Sequence, residues 1–173
     1  MMNEVLENIK NRRSCRSYLP DEVPEALIEK VVEAGTYAPT GMGMQSPIII
    51  AVTNKEVRDH LSKMNAAVMN GKNDPFYGAP VVLVVLANKE RGTYIYDGSI
   101  VMENMMLAAS SLGLGSCWIH RAKEEFASEE GKALLKSWGV EGDYEGIGHC
   151  ILGYPANTGK AKPRKEDYVI WVK

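Results

Sequence analysis

Three guanidinium groups and a hydroxyl crowd into one short stretch, Arg12-Arg13-Ser14-Cys15-Arg16, and a second cationic run, Lys160-Ala161-Lys162-Pro163-Arg164-Lys165, stands near the other end of the chain. Arginine forks grip an anionic oxygen group bidentately, and lysine adds a point charge. Each hydrogen bond to a charged group contributes about 1.5–3 kcal/mol, so several converging on a dianion would anchor a ligand. A simpler reading competes: arginines at the end of a helix complement the negative end of its macrodipole and need no ligand. Three features favour the anion site: Ser14 sits among the arginines, the cluster recurs downstream, and a Gly/Pro-shaped segment, Ala38 to Pro47, lies between the two.

The chemistry of the ligand is narrowed by charge. The 173 residues carry 20 Lys+Arg against 22 Asp+Glu, a net charge of −2. The basic residues are therefore local features, whereas nucleic-acid binders usually carry a domain-wide basic excess. A small phosphorylated ligand fits and a nucleic acid does not.

Other chemistries find little support. The three cysteines, Cys15, Cys117 and Cys150, are far apart in sequence and form no CxxC pair, which argues against a disulfide framework and for a reducing compartment. Cys117 between Ser116 and Trp118 could be a nucleophile, but free cysteine more often packs as a small hydrophobe. His60, His120 and His149 are too scattered to suggest a metal site, and no HExxH, Walker A or EF-hand pattern occurs. Gly113 and Gly115 lack the third glycine and the strand-then-helix context of a dinucleotide fingerprint; they read as a helix stop. The amino-terminal residues lack a basic, apolar leader, and the longest apolar run, Ala79 to Ala87, is too short to cross a bilayer. A cytoplasmic protein with no membrane partner is expected.

The elements that must position these residues follow from periodicity. Residues 3–11 read as a helix capped by Asn3, with Val5, Leu6 and Ile9 on one face, delivering Arg12 and Arg13 at its end. A second helix runs from Pro24 to Gly35. A strand is expected at 48–52, a third helix at 55–69, and a polar loop at 70–77 that could border a site. Val81 to Ala87 is apolar on both faces, as a central strand covered by helices requires. A buried helix is expected from Asp97 to Leu112, with Asp97 or Ser99 as N-cap, then a strand at 116–119, a helix at 123–138 and a strand at 149–153. Tyr168 to Val172 alternates and is hydrophobic, so it must pack on something. The expected class is α+β: one domain, residues 1–173, with a mixed, mostly antiparallel sheet surrounded by helices.

In this order and spacing the motifs resemble the nitroreductase family of FMN-dependent, NAD(P)H-utilising homodimeric flavoproteins. The resemblance spans the chain: Arg12-Arg13-Ser14-x-Arg16; Ala38-Pro39-Thr40 leading to Gln45; Phe76 to Pro80; Asn104 to Ala109 with Leu112 to Ile119; Leu152-Gly153-Tyr154-Pro155; and Lys162-Pro163-Arg164-Lys165. It implies that Arg12, Arg13, Ser14, Lys162 and Arg164 hold the FMN phosphate and that Arg16 reaches the ribityl chain and the pyrimidine edge. It further implies that Pro39, Thr40, Gly41 and Gln45 reach the flavin of the other subunit, that backbone from Cys117 through Trp118, Ile119 and His120 lies near flavin N5, and that the C-terminal segment packs across the partner. The implied reaction moves hydride from NAD(P)H through the flavin to an electron-poor acceptor such as a nitroaromatic or quinone, with no protein acid or nucleophile. Flavin fragmentation, reductive dehalogenation and FMN storage are the alternatives. One departure stands out: Gly43 and Ser46-Pro47 replace the family's usual Asn before the Gln and Pro-Trp after it. Asn70 is either a substitute for that Asn or a surface residue.

Overall fold

In the computed structural model, which describes residues 3–173, the chain forms α1 (Glu4–Asn11), α2 (Glu25–Thr36), β1 (Pro47–Val52), α3 (Lys55–Ala67), β2 (Val81–Asn88), α4 (Tyr94–Ser111), β3 (Gly115–Ile119), α5 (Ala122–Ala127), α6 (Glu129–Ser137) and β4 (Tyr144–Gly153). Short 3-10 turns occupy Gly41–Gly43 and Glu166–Tyr168.

The strands order as β1-β2-β4-β3, every neighbouring pair antiparallel. The expected mixed character reduces to one isolated parallel bridge, Ser14 with Ser116. As the apolar run required, β2 is central and buried on both faces. Val81, Leu83, Val85 and Ala87 pack with residues of α2 and α4 on one side, while Val82, Val84 and Leu86 pack with residues of α3, α5 and α6 on the other. The pairing of β2 with β4 slips between Val85 and Leu86, which leaves Ile147 as an extra residue. That bulged isoleucine seats against Gly98 of α4, where any Cβ would come within 2.5 Å of it.

Two local expectations are corrected. Asp97 and Ser99 are not N-caps: α4 starts a turn earlier, at Tyr94, and Asp97 lies buried inside it. The single helix expected over 123–138 is two, because Ser128 adopts an extended conformation and its side chain accepts from the Gly131 N–H, restarting the helix as an N-cap. Gly131 sits so close to the end of α5 that an added Cβ would lie 2.2 Å from the Glu125 carbonyl oxygen. Gly131→Ala is therefore expected to lower stability by about 1–3 kcal/mol or more, through a backbone clash that cannot rotate away; chemical denaturation would measure it. Tyr168 to Val172, expected to pack on something, remains exposed on the single chain.

The polar loop after α3 is tied down rather than loose. Asp74 accepts hydrogen bonds from Arg58, Ser62 and the backbone N–H groups of Phe76 and Gly78. Burial pushes its carboxyl up, but those donors outweigh it and hold the group below the usual carboxylate range. Asn70 takes a left-handed conformation (φ +52) where the chain leaves α3 and is exposed there.

Candidate functional site

The Asn3 side chain accepts from the N–H groups of Val5 and Leu6, so α1 starts sharply and ends where the first basic cluster begins. Beyond Arg12 the chain passes the edge of β3 and then the end of β4: the Cys15 N–H donates to Ser116 O at 2.8 Å, and Leu19 N–H to Tyr154 O, just after β4, at 2.9 Å. This pairing occupies the free edge of β3 and fixes alternate directions for the side chains. Cys15 turns inward against Gly115, and its neighbours Ser14 and Arg16 are exposed.

Both cationic runs line one cleft of about 700 Å³, its walls including Arg12, Arg13, Ser14, Lys160, Lys162 and Arg164. Residues about 150 positions apart in sequence are thus brought together as the anion reading required. The simple capping reading also has support: Arg13 Nη1 donates to the carbonyls of Lys10 and Arg12, both at 2.6 Å, at the end of α1. Arg12 makes a 3.6 Å ion pair with Glu103 of α4, and Arg164 donates to the Lys162 carbonyl at 2.9 Å. These arginines are oriented by the protein itself, and most of their donors remain open to the cleft.

From Ser116 beside this cleft, β3 leads to His120. Its side chains divide the labour: Cys117 and Ile119 are buried, Trp118 is half-buried, and His120 is exposed. Burial pushes the Cys117 thiol up, with Arg16 and a hydrogen bond from Ser14 opposing only in part. Cys150 is pushed up to about 12 by burial. A thiol raised in this way holds little thiolate at neutral pH, which suits packing better than nucleophilic attack. Only its backbone is available to a ligand. The Trp118 indole lies against Gly148, where a Cβ would meet Nε1 at 2.5 Å.

The Pro39–Gln45 loop is elsewhere. Thr40 and Gln45 line a separate cavity of about 340 Å³ beside α2, β1 and Val101 of α4. Three positive-φ residues, Met42 (+56), Gly43 (+67) and, after Met44, Gln45 (+49), give the loop its shape. Its anchor is the buried Asp97, which accepts from the Gly41 N–H at 2.9 Å and from the hydroxyls of Thr93 at 3.0 Å and Ser46 at 3.4 Å. The pattern of a buried acid inside a helix could have signalled a partner loop, but its position near the helix start suggested a cap. Asp97→Ala strands those donors and is expected to cost about 1–3 kcal/mol; thermal unfolding would register the loss, and limited proteolysis would show earlier cleavage within 39–46.

Sequence reasoning missed a buried polar cluster on the opposite face of the sheet. Asn65 of α3, Glu125 of α5 and His149 of β4 are all at most 1% exposed. Asn65 donates to His120 O and to Glu125 Oε2 and accepts from Arg121. His149, dismissed from sequence as an ordinary histidine, lies with Nε2 3.1 Å from Glu125 Oε2, off the ideal hydrogen-bond direction, between the rings of Phe76 and Phe126. Among the described residues no group of His, Cys, Asp and Glu could hold a metal ion, and no helix is long and apolar enough to cross a membrane.

Comparison with known proteins accords with this geometry. The sequence profile described as Nitroreductase family matches residues 9–154. A protein of Archaeoglobus fulgidus named "Putative NADH dehydrogenase/NAD(P)H nitroreductase" is 33% identical over 159 residues, 89% of this chain and 87% of that protein. One of the same name from Methanothermobacter thermautotrophicus is 36% identical over 119 residues, 66% of this chain but only 60% of its own length. The crystal structure of a nitroreductase with bound FMN from Bacteroides fragilis superposes with a TM-score of 0.91 at 31% identity, covering 99% of this chain and all of that one. A match that runs from the end of α1, through the first basic cluster and the buried strands, to the last strand of the sheet leaves one assignment: this chain belongs to the nitroreductase family.

Proposed function

We propose that the protein is an FMN-dependent NAD(P)H oxidoreductase that passes hydride equivalents from a reduced nicotinamide to an electron-poor small molecule such as a nitroaromatic or quinone. The observation that carries this reading is the convergence of Arg12, Arg13, Ser14, Lys162 and Arg164 on one cleft. That donor set suits a phosphate dianion, and the cleft volume falls in the range of cofactor sites. Relatives named for NAD(P)H and a structural relative with bound FMN support the choice of donor and cofactor.

The redox chemistry is that of the bound FMN, so the protein's tasks are to hold, orient and tune it. Arg12, Arg13, Lys162 and Arg164 neutralise the phosphate, and Ser14 donates its hydroxyl. Arg16, exposed one residue beyond the inward Cys15, supplies positive charge toward the pyrimidine edge, where negative charge accumulates on reduction. From Ser116 to His120, β3 advances about 13 Å at ~3.3 Å per residue, the scale of an extended ribityl chain with the near edge of the ring. With FMN bound as the family resemblance implies, the backbone of Cys117, Trp118, Ile119 and His120 would border the ring. No protein acid or nucleophile is required, in keeping with the raised Cys117 thiol.

Of the 39–45 loop, Thr40 and Gln45 line a cavity apart from the basic cleft of their own chain. In a homodimer this loop serves the flavin of the other subunit, and the exposed Val5, Leu6 and Tyr168 to Val172 are covered by the partner. Free cysteines suit a cytoplasmic setting. Purified protein is expected to be yellow and to bleach when mixed anaerobically with NADH or NADPH, recovering its colour on addition of a quinone or nitroaromatic. Colourless protein that cannot be loaded with FMN would refute the assignment; flavin that stays oxidised with both nicotinamides would make it a storage protein.

A further inference from the structure

The peptide that follows β3 is held in an unfavourable conformation by a purpose-built set of buried groups. Arg121 has φ +77, the left-handed region that a non-glycine residue occupies at a cost. It is only half-exposed, and its guanidinium reaches back rather than outward: Nε and Nη2 both donate to Asn65 Oδ1, at 3.1 and 2.8 Å. The other end of the same amide, Asn65 Nδ2, donates to the carbonyl oxygen of His120 at 2.9 Å and to Glu125 Oε2 at 3.0 Å. One fully buried side chain thus clamps both residues of the turn, His120 through its carbonyl and Arg121 through its side chain.

The clamp is itself held. Glu125 Oε2 receives Asn65 and faces His149 Nε2 at 3.1 Å, and the His149 ring lies 5.2 Å from the Phe76 ring centroid and 6.0 Å from that of Phe126. Glu125 also belongs to α5, whose first turn begins directly after Arg121, with Glu125 N–H donating to Arg121 O at 3.0 Å. Glu125 Oε1 and His149 Nδ1 have no hydrogen-bond partner among the described residues. Burying a carboxylate and an imidazole with incomplete partners is a poor way to stabilise a core, since an apolar replacement of equal volume is often as stable or more so. Strained backbone and costly buried polar groups in one place point to a geometric task.

We infer that Asn65, backed by Glu125 and His149, is a positioning residue that fixes the His120–Arg121 turn against the flavin edge. The inference rests on the proposed function, which places the Cys117–His120 backbone at the ring. It assigns the orientation of that backbone to three residues that touch no ligand, drawn from α3, α5 and β4. Misplacing a group at a reacting centre by about 1 Å can cost on the order of 100-fold in rate, so loss of the clamp should be visible in the flavin without any loss of the phosphate clip.

The test compares wild type with Asn65→Leu, which keeps the branched shape of the side chain and removes every bond that Asn65 makes, and with Arg121→Ala, which removes the fork from a half-exposed site that the core does not need. In FMN-free protein, amide hydrogen exchange over residues 119–122 is expected to quicken about tenfold or more in both variants as the turn opens locally. In loaded protein, anaerobic reduction by NAD(P)H is expected to slow about tenfold, with a shift in the flavin spectrum, while the dissociation constant for FMN changes less because the phosphate clip is intact. If both variants lose only thermal stability, with exchange at 119–122, flavin spectrum and reduction rate unchanged, the cluster is structural and the inference is overturned. Should Asn65→Leu fail to fold, Arg121→Ala decides alone by the same criteria. Wild-type protein that binds no FMN overturns the functional reading and this one together; wild type that behaves as proposed beside unchanged variants overturns only this one.

Discussion

Arg164→Ala is expected to weaken FMN binding about 10- to 100-fold, the loss of a charge-assisted hydrogen bond of ~1.5–3 kcal/mol, and to leave the melting temperature of the FMN-free protein unchanged. The side chain is exposed, and its one internal bond is to the nearby Lys162 carbonyl, so the folded chain gains little from it. Arg13→Ala should lower FMN affinity by a similar factor but also destabilise the free protein slightly, because Arg13 additionally ties the Lys10 and Arg12 carbonyls at the end of α1. The pair separates the two readings of the basic cluster. If both arginines only cap and solvate, neither variant changes affinity in a fluorescence titration of FMN. The wild-type affinity should also fall with added salt, since a dianion in an open basic cleft is screened over about 10 Å at 0.1 M.

The parts of this architecture governed by local patterns were legible in the sequence. The cap at Asn3, the doubly buried β2 and the break after Ser111 at Gly113 each rest on one residue or on one period, and each appears where the pattern placed it. Recognition of the clip needed only the residue types and their recurrence; its convergence into one cleft needed the fold. What escaped were features set by distant partners. Asp97 looked like a cap because its position matched one, but the loop at Gly41 and Ser46, some 50 residues earlier, claims it. Ser128 restarts a helix that hydrophobic periodicity ran straight through. Asn65, Glu125 and His149 lie on three elements separated by 60 and 24 residues, and nothing in the spacing of an isolated Asn, Glu or His announces that they will meet.

The largest effect outside the clip is expected from Val5→Asp. In a single chain this change should be harmless: Val5 is 66% exposed, and an aspartate in the first turn of α1 adds to Glu4 and Glu7 in complementing the positive end of the helix. In the proposed homodimer the same carboxylate would be buried without a partner, at a cost of several kcal/mol. The apolar stripe of α1, Val5, Leu6 and Ile9, is open along its whole length although the helix itself is anchored to α4 by Asn8, which donates to Leu107 O at 2.9 Å. A stripe left open on a docked helix is a surface awaiting a partner. Ile9 also lines the basic cleft, so whatever covers the stripe borders the proposed phosphate site. Sedimentation of the wild type should give a dimer, and Val5→Asp a folded monomer that has lost at least 100-fold in FMN affinity, since the 39–45 loop of a partner would no longer reach the ring. A Val5→Asp protein that remains dimeric would remove α1 from the subunit interface, and a monomer that keeps its FMN would return the loop's role to its own chain.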